Sequence, residues 1–294
     1  MRSPASSRFV IETISSRPSG PPPRFSEIGR LDSPPNHKRT RRNCRCVWRR
    51  LDAPRRGRLP SSRPSTIMAS TADRGRFAEI VVIRHGETCW NASRIVQGHL
   101  DSELNEIGRQ QAVTVAGRLS KEPKFQAIYS SDLKRAAETA NIIAKVCNLP
   151  EVILDPGMRE RHLGDIQGLT LRDAAKLKPE AYKIFLSGKR DVEIPGGGES
   201  LDQLNERCVS CLEKIASKHQ GERVIVLTHG GVLRELHKHA VSGRSSDGRI
   251  HNTSVNVFLI SESGNWTIKT WGDISHLHEI GVLNSAFGGD RTSG

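Results

Sequence analysis

Two histidines stand at the ends of apolar runs. Ile80-Val81-Val82-Ile83 stops on Arg84-His85-Gly86-Glu87, and Val224-Ile225-Val226-Leu227 stops on Thr228-His229-Gly230-Gly231, which puts the second histidine 144 residues after the first. Four consecutive apolar residues read as a strand buried on both faces, as a parallel sheet covered by helices requires. Ligands in such sheets bind at the carboxyl ends of the strands, where Arg84, His85 and His229 stand. A single histidine at a strand end is ordinarily a cap for local carbonyls; two at matching positions point to a site. An imidazole beside a permanent cation suits an anionic substrate.

A third candidate is Arg135. Ala127-Ile128-Tyr129 is a short strand, Ser130-Ser131-Asp132 is a cap signal, and Leu133, Ala136, Ala140, Ile143 and Cys147 share one helical face. Arg135 therefore sits in the first turn of a helix that leaves a strand end, where the helix dipole and the guanidinium both favour an anion. If the anion is a phosphomonoester, Arg84 and Arg135 can each grip oxygens with a planar fork, and His229, once protonated, adds a third donor. His85 is then left to attack phosphorus and carry the phosphoryl group. Glu160, in a loop with glycines at 164 and 168, is the candidate proton donor to the departing alcohol, since a desolvated carboxyl near a phosphate tends to hold its proton. A solvated surface glutamate is the alternative.

The elements needed to assemble these residues are legible in outline. After the first strand comes a long loop, Thr88 to Leu104, in which Asn91 offers an amide donor and Gly98 lets the chain close over an anion; a plain turn is the other reading. Asn105 caps a helix with Ala112, Val115, Ala116 and Leu119 inward. Val152–Leu154 is a brief strand, and short helices fall at 171–176 and 179–187. Ser200-x-x-Gln203 is a capping box that opens a helix burying Leu201, Leu204, Cys208, Cys211, Leu212 and Ile215. Residues 254–260 and 266–271 alternate around Ser263-Gly264-Asn265 as an antiparallel hairpin. Strands alternating with helices predict an α/β fold, a three-layer αβα sandwich with a mostly parallel sheet and an antiparallel edge hairpin. All strand carboxyl ends then share one rim, where the four candidates can meet.

Arg84-His85-Gly86-Glu87-Thr88 with Asn91, then Ser130 to Ala136, Arg159-Glu160 with Gly164 and Gly168, Gly197-Gly198-Glu199-Ser200, and Thr228 to Gly231 resemble, in order, the motifs of the histidine phosphatase superfamily, the phosphoglycerate mutase-like proteins. The likeness runs from about residue 77 to 272 and is greatest to the plant members. It implies His85 as phospho-acceptor, Arg84, Arg135 and His229 as phosphate pocket, Glu160 as proton donor and Asn91 as an auxiliary contact, with no cofactor and a small phosphorylated metabolite as substrate. Gly98, Arg161 and His162 are candidates to line the substrate, as are the more exposed Lys189 and Arg190. Related mutases carry a much longer insert between the acid and the Gly-Glu-Ser turn; here Glu160 and Glu199 are 39 positions apart. A short lid exposes a phosphohistidine to water, which favours hydrolysis over mutase chemistry. Some superfamily members resemble scaffolds that lost a catalytic residue, but every motif residue is present in this chain.

Zinc held by His85, His162, His229 and Glu160 is disfavoured by the fixed charge of Arg84 beside it. Cys208-x-x-Cys211 and His276-x-His278 lie in settings that favour packing over ligation. Six cysteines in 294 residues make no disulfide framework, so a reducing, cytoplasmic setting is expected. No stretch has the ~18–20 apolar residues of a membrane span.

Charge is unevenly distributed. Residues 1–67 hold 16 of the 45 Lys+Arg, 4 of the 32 Asp+Glu and 10 of the 15 prolines, whereas residues 68–294 are close to neutral. The basic balance thus belongs to a leader that cannot bury a core, and it argues against a nucleic-acid surface on the body. The leader reads as upstream sequence not normally translated, with Met68 as the start, as a chloroplast or mitochondrial transit peptide, or as a basic arm. The expected domain spans 68–280, with a frayed tail at 281–294. Oligomeric state is not legible.

Overall fold

The computed structural model describes residues 77–242 and 249–280; the readings of the leader and of the tail fall outside them. The first apolar run forms β1 (Phe77–Arg84), and the second forms β4 (Arg223–Thr228), with every residue from Ile80 to Arg84 and from Val224 to Thr228 buried. With β2 (Ala127–Ser130), β3 (Ile153–Leu154), β5 (Val255–Ser261) and β6 (Trp266–Asp273) they make one six-stranded sheet in the order β3-β2-β4-β1-β5-β6. The first four strands in that order are parallel, and β5 and β6 form the antiparallel hairpin at the edge.

Period-two alternation sends successive residues of each central strand to opposite faces. Ile80, Val82, Val224 and Val226 face Leu204, Cys208 and Leu212 of α6 (Leu201–Lys218) and Leu233 of α7 (Gly230–Ala240). Val81, Ile83, Ile225 and Leu227 face Val115 and Leu119 of α2 (Glu106–Leu119) and Ala140 and Ile143 of α3 (Lys134–Val146). Burial of each large apolar side chain contributes about 1.5–3 kcal/mol, so both helical layers are held to the sheet by its two apolar faces. A smaller third cluster, Val96, Leu163, Ile166, Ala174, Ala181 and Ile194, joins loop residues to α4 (Leu171–Leu177) and α5 (Pro179–Ser187).

The caps of α2 and α6 form as their sequences predict. Asn105 Oδ1 accepts from Gly108 N at 2.8 Å, and Ser200 and Gln203 exchange bonds of 3.1 and 2.8 Å. Three local details differ. Leu201, the first residue of α6, is only half-buried where the pattern put it inward. The loop after β1 contains a short helix, α1 (Cys89–Ser93), closed by reciprocal bonds between Thr88 and Asn91. Ser131 does not cap α3; Leu133 occupies that position without a side-chain bond, and Ser131 is engaged in the site.

Candidate active site

β1 and β4 pair in register, Arg84 opposite Thr228, and His85 N donates to Thr228 O at 3.0 Å. The next residues of both strands are therefore neighbours, and the imidazoles of His85 and His229 lie with ring centroids 5.2 Å apart, tilted by 56°. Both are buried. Burial pushes the pKa of each well below the ordinary 6.5, and the charges of Arg135 and Arg84 push the same way, so both rings are neutral at pH 7. His85 Nδ1 lies 2.7 Å from Gly86 O, to which it donates. The proton is thereby fixed on Nδ1, and Nε2 keeps its lone pair. His229 Nε2 bonds Ser131 Oγ at 2.8 Å, and its buried Nδ1 has no partner among the described residues.

The guanidinium of Arg84 is buried at the end of β1, with Nη1 donating to Ile250 O at 2.7 Å. Arg135, the second residue of α3, is equally buried; Nη2 donates to Gly98 O at 2.7 Å and Nη1 to Leu100 O at 3.0 Å. Burial lowers its pKa to about 10, opposed by Glu160 and Asp101, which leaves it a cation at neutral pH. Its Nε is buried with no partner among the described residues. A buried charged donor without an acceptor is costly, and an anion would relieve it. Gly98 thus holds Arg135 through its carbonyl; with φ +52° and a hypothetical Cβ 2.0 Å from Gln167 Oε1, a side chain there would be strained and would displace Gln167. The turn after His85 is tied to the same helix, since Gly86 N donates to Thr139 Oγ1 at 3.1 Å.

Glu160 is 1% exposed, which removes the surface-glutamate reading. Its Oε1 accepts from Arg161 N at 2.8 Å and its Oε2 from Gly231 N at 3.0 Å, so the carboxylate lies over the first turn of α7, two residues past His229. A Cβ at position 231 would stand 2.2 Å from Oε1; glycine is what lets the two approach. Two imidazoles, two guanidinia and a carboxylate thus converge at the carboxyl rim of β1 and β4, a set suited to moving a phosphoryl group.

Residues 80–274 match the sequence profile of the Histidine phosphatase superfamily (branch 1). The chain belongs to the histidine phosphatase superfamily. It is 60% identical over 218 residues to phosphoglycerate mutase-like protein 4 of Arabidopsis thaliana, a match covering 74% of this chain and 95% of that protein. It is 53% identical over 212 residues to the metal-independent phosphoserine phosphatase of the same plant, covering 72% and 88%. Among solved structures, phosphoserine phosphatase from Entamoeba histolytica in complex with 3-phosphoglyceric acid aligns with a TM-score of 0.60 and 28% identity, over 68% of this chain and 99% of that one.

The other candidates of this histidine phosphatase are placed less directly. Asn91 is buried in α1, its Oδ1 engaged by Thr88, so its amide N–H is what it can offer an anion. Arg161 is buried and anchored by Nε to Glu199 O at 2.9 Å. His162 packs edge-on against His99, and its Nδ1 accepts from Gly164 N. Arg190 is engaged by Glu235 and Asp202, at 2.7 and 2.8 Å. Cys208 and Cys211 are buried in the core, and His276 bonds Thr253 Oγ1 at 3.2 Å. Among the described residues no group of three His, Cys, Asp or Glu is arranged to hold a metal, and no helix is long and apolar enough to cross a membrane.

Several residues that shape the site escaped the sequence reading. Ser131 holds His229, Asn252 Nδ2 donates to His85 O at 2.9 Å, and His99 Nε2 lies 2.6 Å from Glu160 O. Of these, His99 carried a usable signal, a histidine next to a loop glycine already singled out; Ser131 has the look of a cap.

Proposed function

We propose that this phosphatase hydrolyses a small phosphomonoester through a covalent phosphohistidine on Nε2 of His85. The phosphate dianion enters between Arg84 and Arg135, and its charge draws a proton onto His229, which then donates to an equatorial oxygen. His85 Nε2 attacks phosphorus, the ester P–O bond breaks in line, and the alcohol leaves with a proton from Glu160. Water then attacks the phosphohistidine, the Glu160 carboxylate takes its proton, and inorganic phosphate departs from a regenerated neutral His85.

The observation that carries this reading is the bond from His85 Nδ1 to Gly86 O, which presents an unprotonated Nε2 beside His229 in a pocket with two buried guanidinia. Asn91 serves as an auxiliary phosphate donor, and Arg161 and His162 lie next to Glu160 in sequence, on the leaving-group side. Phosphoserine and 3-phosphoglycerate are the first substrates to assay, because relatives are named for the first and co-crystallised with the second. The cytoplasm is the compartment we assign, or an organelle if residues 1–67 act as a transit peptide.

Rapid acid-free quenching with a 32P-labelled substrate tests the route. Label should appear on the protein in a form stable to alkali and labile to acid, and His85→Ala should abolish it while lowering kcat/KM by at least about 10³-fold without loss of fold. Isomerisation of phosphoglycerate outpacing phosphate release would overturn hydrolysis as the activity.

A further inference from the structure

We infer that Arg207 of α6 is the residue that positions the Glu160 carboxyl for proton transfer. All five N–H donors of its guanidinium are engaged. Nε and Nη2 grip Oε1 and Oε2 of Glu199 at 2.9 and 2.8 Å, Nη1 donates to Gly157 O and Arg159 O at 2.9 Å each, and the remaining Nη2 hydrogen reaches Glu160 O at 3.2 Å. Glu199 continues the clamp on the other side of the acid: its Oε2 also accepts from His162 N, and its backbone bonds His162 O and Arg161 Nε.

One side chain thus fixes the backbone at 157, 159 and 160 directly and at 162 through its partner. The Glu160 carboxylate is oriented by Arg161 N and Gly231 N, so the path of residues 159–162 decides where its oxygens lie. Arg207 is mounted on a helix whose neighbouring Leu204 and Cys208 are fully buried against the sheet, a rigid base for the purpose. Lysine has three donors on one atom and cannot span four acceptor residues.

The inference rests on Glu160 being the proton donor, and the test separates the two claims. In the full-length protein, kcat/KM is measured on two substrates. One is an alkyl phosphate, whichever of phosphoserine, 3-phosphoglycerate and glycerol 3-phosphate turns over fastest, and its alkoxide must be protonated as it leaves. The other is p-nitrophenyl phosphate, whose phenolate needs no proton. Glu160→Gln should depress the alkyl value by about 10²–10⁴-fold and the aryl value far less. Arg207→Lys should reproduce that skew, with a loss of about 10²-fold on the alkyl substrate, and Glu199→Gln should do so in the same direction.

If Glu160→Gln is skewed while Arg207→Lys and Glu199→Gln depress both substrates equally or neither, the positioning role is wrong and the acid assignment stands. If Glu160→Gln shows no skew, the acid assignment itself fails. Should Arg207→Lys not fold by circular dichroism, a folded Glu199→Gln decides; loss of fold in both would also overturn the inference, since the clamp would then serve stability alone.

Discussion

An imidazole that attacks phosphorus has to arrive without its proton, and in His85 burial and two neighbouring cations see to that while Gly86 O holds the proton on the far nitrogen. The consequence for stability has a definite sign. The folded pKa values of His85 and His229 lie below the unfolded value near 6.5, so the unfolded chain binds more protons as pH falls. Their contribution is complete above pH 6.5 and is lost as the solution is acidified toward the folded values. Urea melts should show stability falling between pH 7.5 and 5.5, less steeply in His229→Gln; stability rising over that range would contradict two neutral buried rings. At this scale His85, His229, Arg84 and Arg135 were legible because each stands at a strand end or in the helix turn that follows one, where type and position suggest chemistry. For Glu160 the residues alone left the surface-glutamate alternative open, and the family likeness favoured the proton donor. Ser131 and Arg207 gave no adequate sign, since His229, which the first bonds, lies 98 residues away and the carbonyls of residues 157, 159 and 160, which the second holds, lie 47 or more residues away.

The first turn of α7 serves two functions: it follows His229, and its second residue supplies the amide that holds Glu160. Gly231→Ala is compatible with a helix, so the fold should survive, but the added carbon 2.2 Å from Glu160 Oε1 must displace the carboxylate. We expect kcat/KM for an alkyl phosphate to fall by about 10²-fold with the melting temperature nearly unchanged, as read by steady-state kinetics and calorimetry. Elements with caps and long periodicity were read correctly, as α2 and α6 show. The five-residue α1 was missed because it is too short for a repeat and its capping box closes with Asn91 in place of Glu or Gln. The start of α3 was misread for a different reason: the side chain that looked like a cap is engaged by a histidine from another strand.

Across the whole molecule, charge is segregated along the sequence. The basic excess lies in residues 1–67, and all five groups of the site lie between residues 84 and 229. A protein shortened to residues 68–294 should therefore match the full chain in kcat/KM at low and at physiological salt; a drop confined to the shortened form would mean that the basic segment contributes to substrate capture. The layered α/β architecture was legible because strand and helix patterns alternate along the chain. The order β3-β2-β4-β1-β5-β6 was not, since it depends on pairings between segments more than a hundred residues apart, such as Glu79 with Arg223.

That pairing has one further effect. The gap of 5.2 Å between the two imidazoles is close to the about 4.7–4.9 Å by which any two hydrogen-bonded strands are separated. The pairing of β1 with β4 therefore brings the two imidazoles to about one strand spacing from each other. Substitutions in the surrounding loops that spare the five groups would retune which alcohol is accepted, and the attacking nitrogen would keep its bearing.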